Sequence, residues 1–280
     1  MKIVRRLRAH ATQDGDGVNI HRIADFTQLS LDPYLMIDEL KSDQASDYIG
    51  GFPPHPHRGI ETFTYILRGG FQHQDQMGNV KDIRTGQVQW MSTGFGVMHS
   101  EMPLASEDGA MHGFQIWLNM PAKDKLRPAK YQDSSNQSLP YFDNGAGGKL
   151  TALAGSWLFA GKTLTSPLNQ LTAQAAIADV QLNAHGTANL ALQHFEQVVL
   201  YIHSGELSQQ NLTQGQAVIV DSQVAIELTG GEEGAGVLVL AGQKINEKIA
   251  HMGPFVMNTQ AELQQAVADF QAGKFGQLAL

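Results

Sequence analysis

The fold is decided by a stretch that reads Pro54-His55-Pro56-His57-Arg58-Gly59-Ile60-Glu61-Thr62. Apolar residues then recur with a period of two over residues 61–67, which is the pattern of a β-strand with one buried face. Similar short apolar runs, broken by Gly, Asp or Asn, follow at residues 86–91, 113–118, 197–202, 217–220 and 236–240. Short strands separated by turns predict an all-β protein built from barrels or sandwiches.

Composition limits the classes of partner. The chain has 280 residues, enough for two domains, and its formal net charge of −8 disfavours direct contact with nucleic acid phosphates. No apolar run approaches the roughly 18 residues that span a bilayer, and the basic N-terminus is followed by polar residues where a signal peptide would be apolar. We therefore expect a soluble, cytoplasmic protein that binds neither nucleic acid nor membrane.

The candidate chemistry lies in two pairs of residues with the same spacing. His55 and His57 are separated by one residue, and so are His99 and Glu101. On a strand, residues i and i+2 project from the same face, so two such strands side by side would bring four donors together. Because the chain has no cysteine, only such nitrogen and oxygen donors are available to a metal. The pattern predicts one divalent ion inside a β-barrel; the alternative is ordinary loop histidines around Pro56.

The donor set also narrows the choice of metal. Three neutral imidazoles and one carboxylate leave a divalent ion with open positions, which is typical of sites where water or substrate exchanges. Donors without sulfur suit Fe(II), Mn, Ni, Co or Cu, and a His-rich site with one carboxylate is a common way to hold non-heme Fe(II) for oxygen chemistry. We expect Fe(II), while the other ions, Zn included, stay open.

A weak internal repeat divides the chain. Glu61 placed on Glu196 aligns Gly70 with Gly205 without a gap, and the dipeptide at 86–87 matches the one at 215–216. Residues 121–140 are polar and are predicted to connect the two halves. We therefore expect an N-terminal metal-binding barrel over residues 1–135 and a C-terminal barrel over residues 136–280. The repeat pairs the four candidate ligands with Leu190, Leu192, Leu228 and Gly230, so only the first barrel would hold a metal.

One helix is predicted near the C-terminus, on the outside of a barrel. Thr259 as N-cap and Glu262 three residues later form a capping box, and Gly273 supplies the stop. The apolar face is predicted to contain Leu263, Val267 and Phe270.

Several stretches together resemble the pirin branch of the cupin superfamily. They are residues 54–62, residues 86–90, residues 93–101, Asp32-Pro33-Tyr34 with residues 37–39, and residues 253–259. The resemblance covers almost the whole chain and implies an all-β fold of two cupin-type β-barrels in tandem (a bicupin), with a monomeric state. In general cupins the glutamate of the first motif, here Glu61, is often a ligand, whereas in pirins the fourth ligand is the equivalent of Glu101. Glu61 is therefore expected behind the ligands.

The same resemblance implies a function. Several bacterial pirins are quercetinases, metal-dependent dioxygenases that open the central ring of flavonols with O2 and release carbon monoxide. In such an enzyme Glu101 would take the flavonol hydroxyl proton as a general base, or would only balance the charge of the metal. Another enolic substrate would leave this mechanism intact. The alternative from a different class is a metal-containing regulatory or redox-sensing protein that acts through protein partners.

Other residues near the motifs have two interpretations. Phe52, Phe63 and Tyr65 would reach the barrel interior or belong to the core, and Trp90 and Trp117 are expected to be core residues. Gly94 and Gly96 are expected where the backbone turns or where another segment approaches closely.

Overall fold

A computed structural model describes residues 1–27, 31–104, 106 and 108–278. The contacts divide the chain into two compact units. The first, here called the histidine unit, consists of His10–Asn136 and Ile245–Leu280, and the second, here called the apolar unit, consists of Met1–Ala9 and Gln137–Lys244. A sequence division between residues 135 and 136 differs from these units at both termini, and the predicted domain bounds stay a prediction.

Most strands of the histidine unit lie in two antiparallel sheets. The larger sheet has the order β12-β9-β6-β11-β4-β3-β2 and the smaller one the order β5-β10-β7-β8. The larger sheet is formed by β2 (His10–Asp14), β3 (Val18–Ala24), β4 (Tyr34–Ser42), β6 (Ile60–Arg68), β9 (Val88–Ser92), β11 (Met111–Asn119) and β12 (Lys130–Asp133). The smaller sheet is formed by β5 (Phe52–His57), β7 (Gly70–Asp75), β8 (Val80–Arg84) and β10 (Val97–Pro103).

A shared core joins these two sheets. Ile66 and Met111 of the larger sheet pack in one cluster with Phe71 and Ile83 of the smaller sheet, and all four are buried. The two sheets are not joined by hydrogen bonds between their strands, so this unit is a β-sandwich and not the closed barrel that the sequence predicted. The chain passes from β5 to β6 at Gly59, where φ is +78°, a left-handed conformation that favours glycine and does not continue a strand.

The apolar unit contains a nine-stranded sheet and a hairpin. The sheet has the order β1-β21-β19-β22-β17-β14-β13, with β18 on β22 and β20 on β19. Its strands are β1 (Ile3–Arg8), β13 (Tyr141–Asp143), β14 (Gly148–Ala154), β17 (Ala176–Leu182), β18 (Thr187–Leu190), β19 (Gln197–Leu207), β20 (Leu212–Thr213), β21 (Gln216–Val220) and β22 (Ile226–Gly242). The hairpin is formed by β15 (Ser156–Phe159) and β16 (Lys162–Thr165). The N-terminal strand therefore completes the sheet formed by the second half of the sequence.

The structure agrees with the internal repeat at the turn before Gln87 and Gln216, but shifts the match of the preceding strand by one residue. Gly86 and Gly215 have φ values of +80° and +83°, and each donates its amide to an isoleucine carbonyl at 2.8 Å, that of Ile66 and of Ile202. This turn pairs Ile66 with Ile202, whereas the ungapped match through Glu196 would pair it with Tyr201. The predicted match is therefore one residue out of register, and a shift of one residue exchanges the faces of a strand.

The apolar unit has no polar centre at the positions named by the repeat. Leu190, Leu192 and Leu228 are all buried in its apolar core. Leucine side chains provide no donor atoms for a metal.

The C-terminal helix begins and ends as predicted. Helix α1 (Gln260–Gln271) has Thr259 as N-cap, and both hydrogen bonds of the capping box with Glu262 are present. At its end, Gly273 has φ +71°, its amide donates to the Phe270 carbonyl, and the Lys274 amide donates to the Asp269 carbonyl. These two bonds are those of a Schellman motif.

The buried face of α1 differs from the predicted one. Leu263 is buried as expected, but the helix also buries Ala266 and Asp269, while Phe270 is 37% exposed. Asp269 is buried because it forms a 2.9 Å ion pair with Arg58, which immediately follows β5. Because of this buried ion pair, the face that α1 buries differs from the one that apolar periodicity indicates. The helix lies against β23 (Ala250–Met252) and β24 (Phe255–Met257), which form a short hairpin.

The polar segment 121–140 is only partly a connection. Residues 130–133 form β12, which pairs with β9 and extends the larger sheet of the histidine unit. The boundary between the two units falls after it, at residues 136 and 137.

Within the residues that the structure describes, no helix is both long and apolar enough to cross a membrane.

Candidate metal centre

The smaller sheet of the histidine unit positions the candidate ligands. Its strands β5 and β10 are neighbours and run antiparallel, with His55 directly opposite His99. His57 lies two residues after His55 on the same face. Because side chains alternate along each strand, the three imidazoles project from the same face and lie together, as the spacing predicts.

The three histidine rings form a compact cluster. Ring centroids are 4.3 Å apart between His55 and His99, 4.8 Å between His55 and His57, and 5.0 Å between His57 and His99. One donor nitrogen from each ring lies within 4.8 Å of the others. His57 and His99 are buried, and Trp117 packs edge-on against His57 at 4.9 Å.

A hydrogen bond sets which nitrogen of His55 is free, and burial favours the neutral form of the other two rings. The Nδ1 atom of His55 donates to the Pro53 carbonyl at 2.8 Å, which leaves Nε2 with its lone pair. Burial holds the pKa of His57 and of His99 well below its ordinary value, and His55 acts in the same direction on both. Neutral imidazole is the ligand form of histidine.

Unpartnered nitrogens give an independent test of whether the residues fit a metal. Among the residues that the structure describes, Nδ1 of His57 and both ring nitrogens of His99 are buried without a hydrogen-bond partner. Leaving buried polar atoms unpaired costs free energy, so such atoms in a native structure call for an explanation. A divalent cation among the three rings would satisfy Nδ1 of His57 and one ring nitrogen of His99, and the donor set therefore fits a transition metal.

Glu101 lies on the same strand but is displaced along it. The register of β10 against β5 shifts between His99 and Glu101, so that Glu101 stands opposite Phe52. Its Oε1 accepts a hydrogen bond from the Gln89 amide, and its Oε2 accepts one from Gln115 at 2.7 Å. Both oxygens are thus oriented by carboxamide donors on the larger sheet.

A further histidine, not singled out by the sequence analysis, faces this cluster. On its other side β10 pairs with β7, where His73 stands opposite Glu101. Donor atoms of His73, His99 and Glu101 all lie within 4.8 Å of one another, and all three residues are buried. Asp75 follows His73 by two residues, so the same i, i+2 spacing was available as a signal in the sequence.

Glu61 is buried on β6 and is engaged by other residues. Its Oε2 accepts a hydrogen bond from Trp90 Nε1, and its Oε1 accepts one from Arg127, both at 2.9 Å. A place behind the metal ligands stays a prediction for Glu61.

The remaining expectations are met in part. Gly94 has φ +49°, and a Cβ there would stand 2.0 Å from the Arg127 carbonyl oxygen, while a Cβ on Gly96 would stand 2.5 Å from the Phe275 ring. Both glycines therefore permit close approach, as predicted. Phe63 and Tyr65 are buried, and Trp117, expected in the core, instead lines a cavity.

This cavity opens beside the histidine cluster. It has a volume of about 760 Å³ and is lined by His55, His57 and Glu101, with Phe52 and Trp117 among its apolar walls. Its volume lies within the range of about 300–1,000 Å³ that is typical of small-molecule sites.

Four aspartates also line the cavity. Asp14, Asp16, Asp25 and Asp38 line it together with Arg22. Arg22 donates to both oxygens of Asp38, at 2.9 and 2.8 Å, and to Asp14 at 2.8 Å, so its charge is already matched. The lining therefore disfavours anionic ligands and offers acceptors to hydroxyl groups.

Comparisons with known proteins agree over nearly the whole chain. The family model described as Pirin matches residues 18–118, and the one described as Pirin C-terminal cupin domain matches residues 177–276. A Vibrio cholerae protein named "Putative quercetin 2,3-dioxygenase" is 45% identical over 276 residues, with 98% of this chain and 97% of that protein covered. The mouse protein named "Pirin" is 30% identical, with 98% of this chain and 94% of that protein covered.

A solved structure has the same fold. The crystal structure of a quercetin 2,3-dioxygenase from Acinetobacter baumannii has a TM-score of 0.84 and 29% identity, and the match covers 98% of both chains. Two cupin domains, of which one contains a cluster of buried histidines, define the class of this protein as a bicupin. Within this class, the chain belongs to the pirin family.

Proposed function

We propose that this protein is a metal-dependent dioxygenase that opens the central ring of flavonols such as quercetin with O2. His55, His57, His99 and Glu101 hold one divalent transition metal, with Fe(II) as the first candidate. The observation that carries the proposal is the three-histidine cluster, of which His55 and His57 line a cavity of about 760 Å³. The names of the Vibrio cholerae and Acinetobacter baumannii proteins support the same activity.

The residues that line the cavity favour a flat, neutral, polyhydroxylated substrate. Phe26 stacks on His251 with ring centroids 4.1 Å apart and planes 12° apart, and both residues line the cavity with Trp117. Aromatic walls favour an aromatic ligand. Among the other lining residues, Asp14 and Asp38 present carboxylate oxygens, which accept hydrogen bonds from phenolic hydroxyls but repel carboxylates and phosphates.

Glu101 is the residue placed to accept the proton of the substrate hydroxyl. The bound metal would supply Lewis acidity toward the hydroxyl and ketone oxygens of the flavonol. Glu101 Oε takes the hydroxyl proton, which leaves the negative charge on the substrate oxygen. Gln89 and Gln115 keep the carboxylate oriented toward the cluster, and the Thr64 hydroxyl fixes the Gln115 amide by donating to its Oε1 at 2.8 Å. In the complete reaction both oxygen atoms of O2 enter products, and one ring carbon leaves as carbon monoxide.

The experiment is turnover of quercetin by metal-loaded protein. The purified chain is stripped of metal, reloaded separately with Fe(II), Mn(II), Ni(II), Co(II), Cu(II) or Zn(II), and assayed by oxygen uptake and by loss of flavonol absorbance. We expect turnover with at least one ion, and its loss in Glu101→Gln with part of the metal retained. Turnover at the wild-type rate in Glu101→Gln would refute the role of Glu101 as base.

Absence of turnover with every ion would reject the enzymatic proposal for this substrate. It would leave a metal-containing protein that acts through protein partners, the alternative that the pirin family raises. Full metal content in His99→Ala would instead reject the site itself.

A further inference from the structure

His73 and Asp75 form a buried pair on β7 that the proposed single-metal site does not use. Nε2 of His73 lies 3.0 Å from Asp75 Oδ2. Asp75 is held in turn by the Met77 and Asn79 amides, at 2.9 and 3.1 Å, and by the Asn79 side chain at 2.8 Å. With three other donors directed at it, Asp75 acts as a carboxylate and accepts the hydrogen bond from His73.

This contact fixes the tautomer of His73. Because Nε2 carries the hydrogen that it donates to Asp75, the lone pair resides on Nδ1. His73 is fully buried, and its Nδ1 atom has no hydrogen-bond partner in the described part of the chain. Tyr131 stacks on the ring with centroids 4.5 Å apart and so holds its plane. An oriented imidazole with a bare, buried Nδ1 is the form in which histidine binds a metal.

His99 connects this pair with the other histidines. Strand β10 lies between β5 and β7, so His99 has His55 opposite it on one side and Asp75 on the other. Both of its ring nitrogens are buried, and no described residue forms a hydrogen bond with either of them. One ion occupies only one nitrogen of an imidazole, so a single ion among His55, His57 and His99 leaves the other nitrogen unexplained.

The residues on the β7 side form a complete donor set. The donor atoms of His73, His99 and Glu101 lie within 4.8 Å of one another, whereas two donors each about 2.1 Å from one ion are at most about 4.2 Å apart. Side-chain movements of about half an ångström would close this set around an ion. Two histidines and one carboxylate are the donors of non-heme Fe(II) sites, and Asp75 behind His73 adds a second negative charge.

We propose that His73, His99 and Glu101 form an inner position for a divalent ion, next to the outer position of His55, His57 and His99. The inference rests on the proposed metal site, because the two positions share His99. Glu101 serves both positions through its two oxygens. The chain accordingly binds up to two divalent ions, or retains one when the outer histidines are removed. When both positions are filled, His99 releases its ring N–H proton to solvent, so that each ring nitrogen offers a lone pair.

The test separates the two positions by mutation and measures metal binding directly. Metal-free wild-type protein, His73→Phe, His55→Ala/His57→Ala, and the triple variant that combines these changes are titrated with Cu(II). Bound metal is quantified by elemental analysis, and nitrogen ligands are counted by pulsed EPR. His73→Phe keeps an aromatic ring against Tyr131 while removing the nitrogen, so it tests the donor and not the packing. His185→Ala, an exposed histidine of the apolar unit, is the matched control.

We expect the double variant to retain one Cu(II) with two imidazole ligands, and the triple variant to bind at least tenfold more weakly. His73→Phe alone should reduce the stoichiometry of the wild type by one ion, and His185→Ala should not change it. Metal binding by the double variant that equals that of the triple variant would overturn the inner position. Such a result, with wild-type and His73→Phe proteins both binding one ion, would leave the outer site and the proposed function intact. A wild-type chain that binds no ion would reject both.

Discussion

Removing the amide of Gln115 should slow flavonol turnover without removing the metal. Gln115 Nε2 donates to Glu101 Oε2 at 2.7 Å, and the Gln89 amide donates to Oε1. Gln115→Leu keeps a side chain of similar volume on β11 and deletes one of these two donors. The three histidine donors of the outer position remain unchanged.

The size of the effect follows from the charge on the acceptor. A hydrogen bond to a charged group contributes about 1.5–3 kcal/mol, and about 1.4 kcal/mol corresponds to a tenfold change in rate. We therefore expect kcat/KM for quercetin to fall roughly 10- to 100-fold, mainly through kcat, because the lost bond orients the proton acceptor and not the ring of the substrate.

Oxygen uptake gives the rate, and elemental analysis of the same samples gives the metal content. Gln72→Leu is the matched control, because the Gln72 amide donates to Asp82 on the exposed side of β7. A wild-type rate in Gln115→Leu would refute the idea that this bond holds the base in place. A rate that falls only in proportion to metal content would instead assign Gln115 to metal retention.

Three further predictions concern stability. Thr259→Ala deletes the N-cap acceptor of α1 and should lower the free energy of unfolding by about 1 kcal/mol, measured by urea denaturation. Hydrogen bonds from Lys274 and Arg58 lower the pKa of Asp269 from 3.8 to about 2. Their stabilising effect is therefore present above pH 4 and is lost as the pH falls toward 2. In Asp269→Asn, the urea midpoint should lack this part of its acid dependence. Gly94→Ala should destabilise the fold more than Gly78→Ala. Both glycines have positive φ, but no described atom lies within 4 Å of a Cβ at Gly78, whereas a Cβ at Gly94 would meet the Arg127 carbonyl oxygen. Equal melting temperatures would contradict this close approach to Arg127.

Much of the candidate site could be read from local spacing. His55 and His57 project from one face because successive side chains on a strand alternate, and this holds wherever the strand lies. The capping box of α1 is also local, since Thr259 and Glu262 contact each other across one helical turn. Such features depend on backbone geometry over a few residues and were therefore predictable.

Features that depend on distant residues were predicted less well. The face that α1 buries depends on the ion pair between Asp269 and Arg58, which are 211 positions apart. The spacing of His73 and Asp75 is as regular as that of the other pairs, but nothing local indicates that β7 lies beside β10. Similarly, the shift in register between His99 and Glu101 is a property of the pairing of two strands and not of either strand alone.

The sequence by itself determined the all-β class, the two strands that carry the predicted ligands, and membership of the pirin family. The tertiary structure alone decided that β10 lies between β5 and β7, so that His99 belongs to two donor sets. It also decided that Glu101 is held by Gln89 and Gln115. The physical reason is that alternation along a strand is fixed by the backbone, whereas the order of strands and their register are set by hydrogen-bonded ladders between segments far apart in the chain.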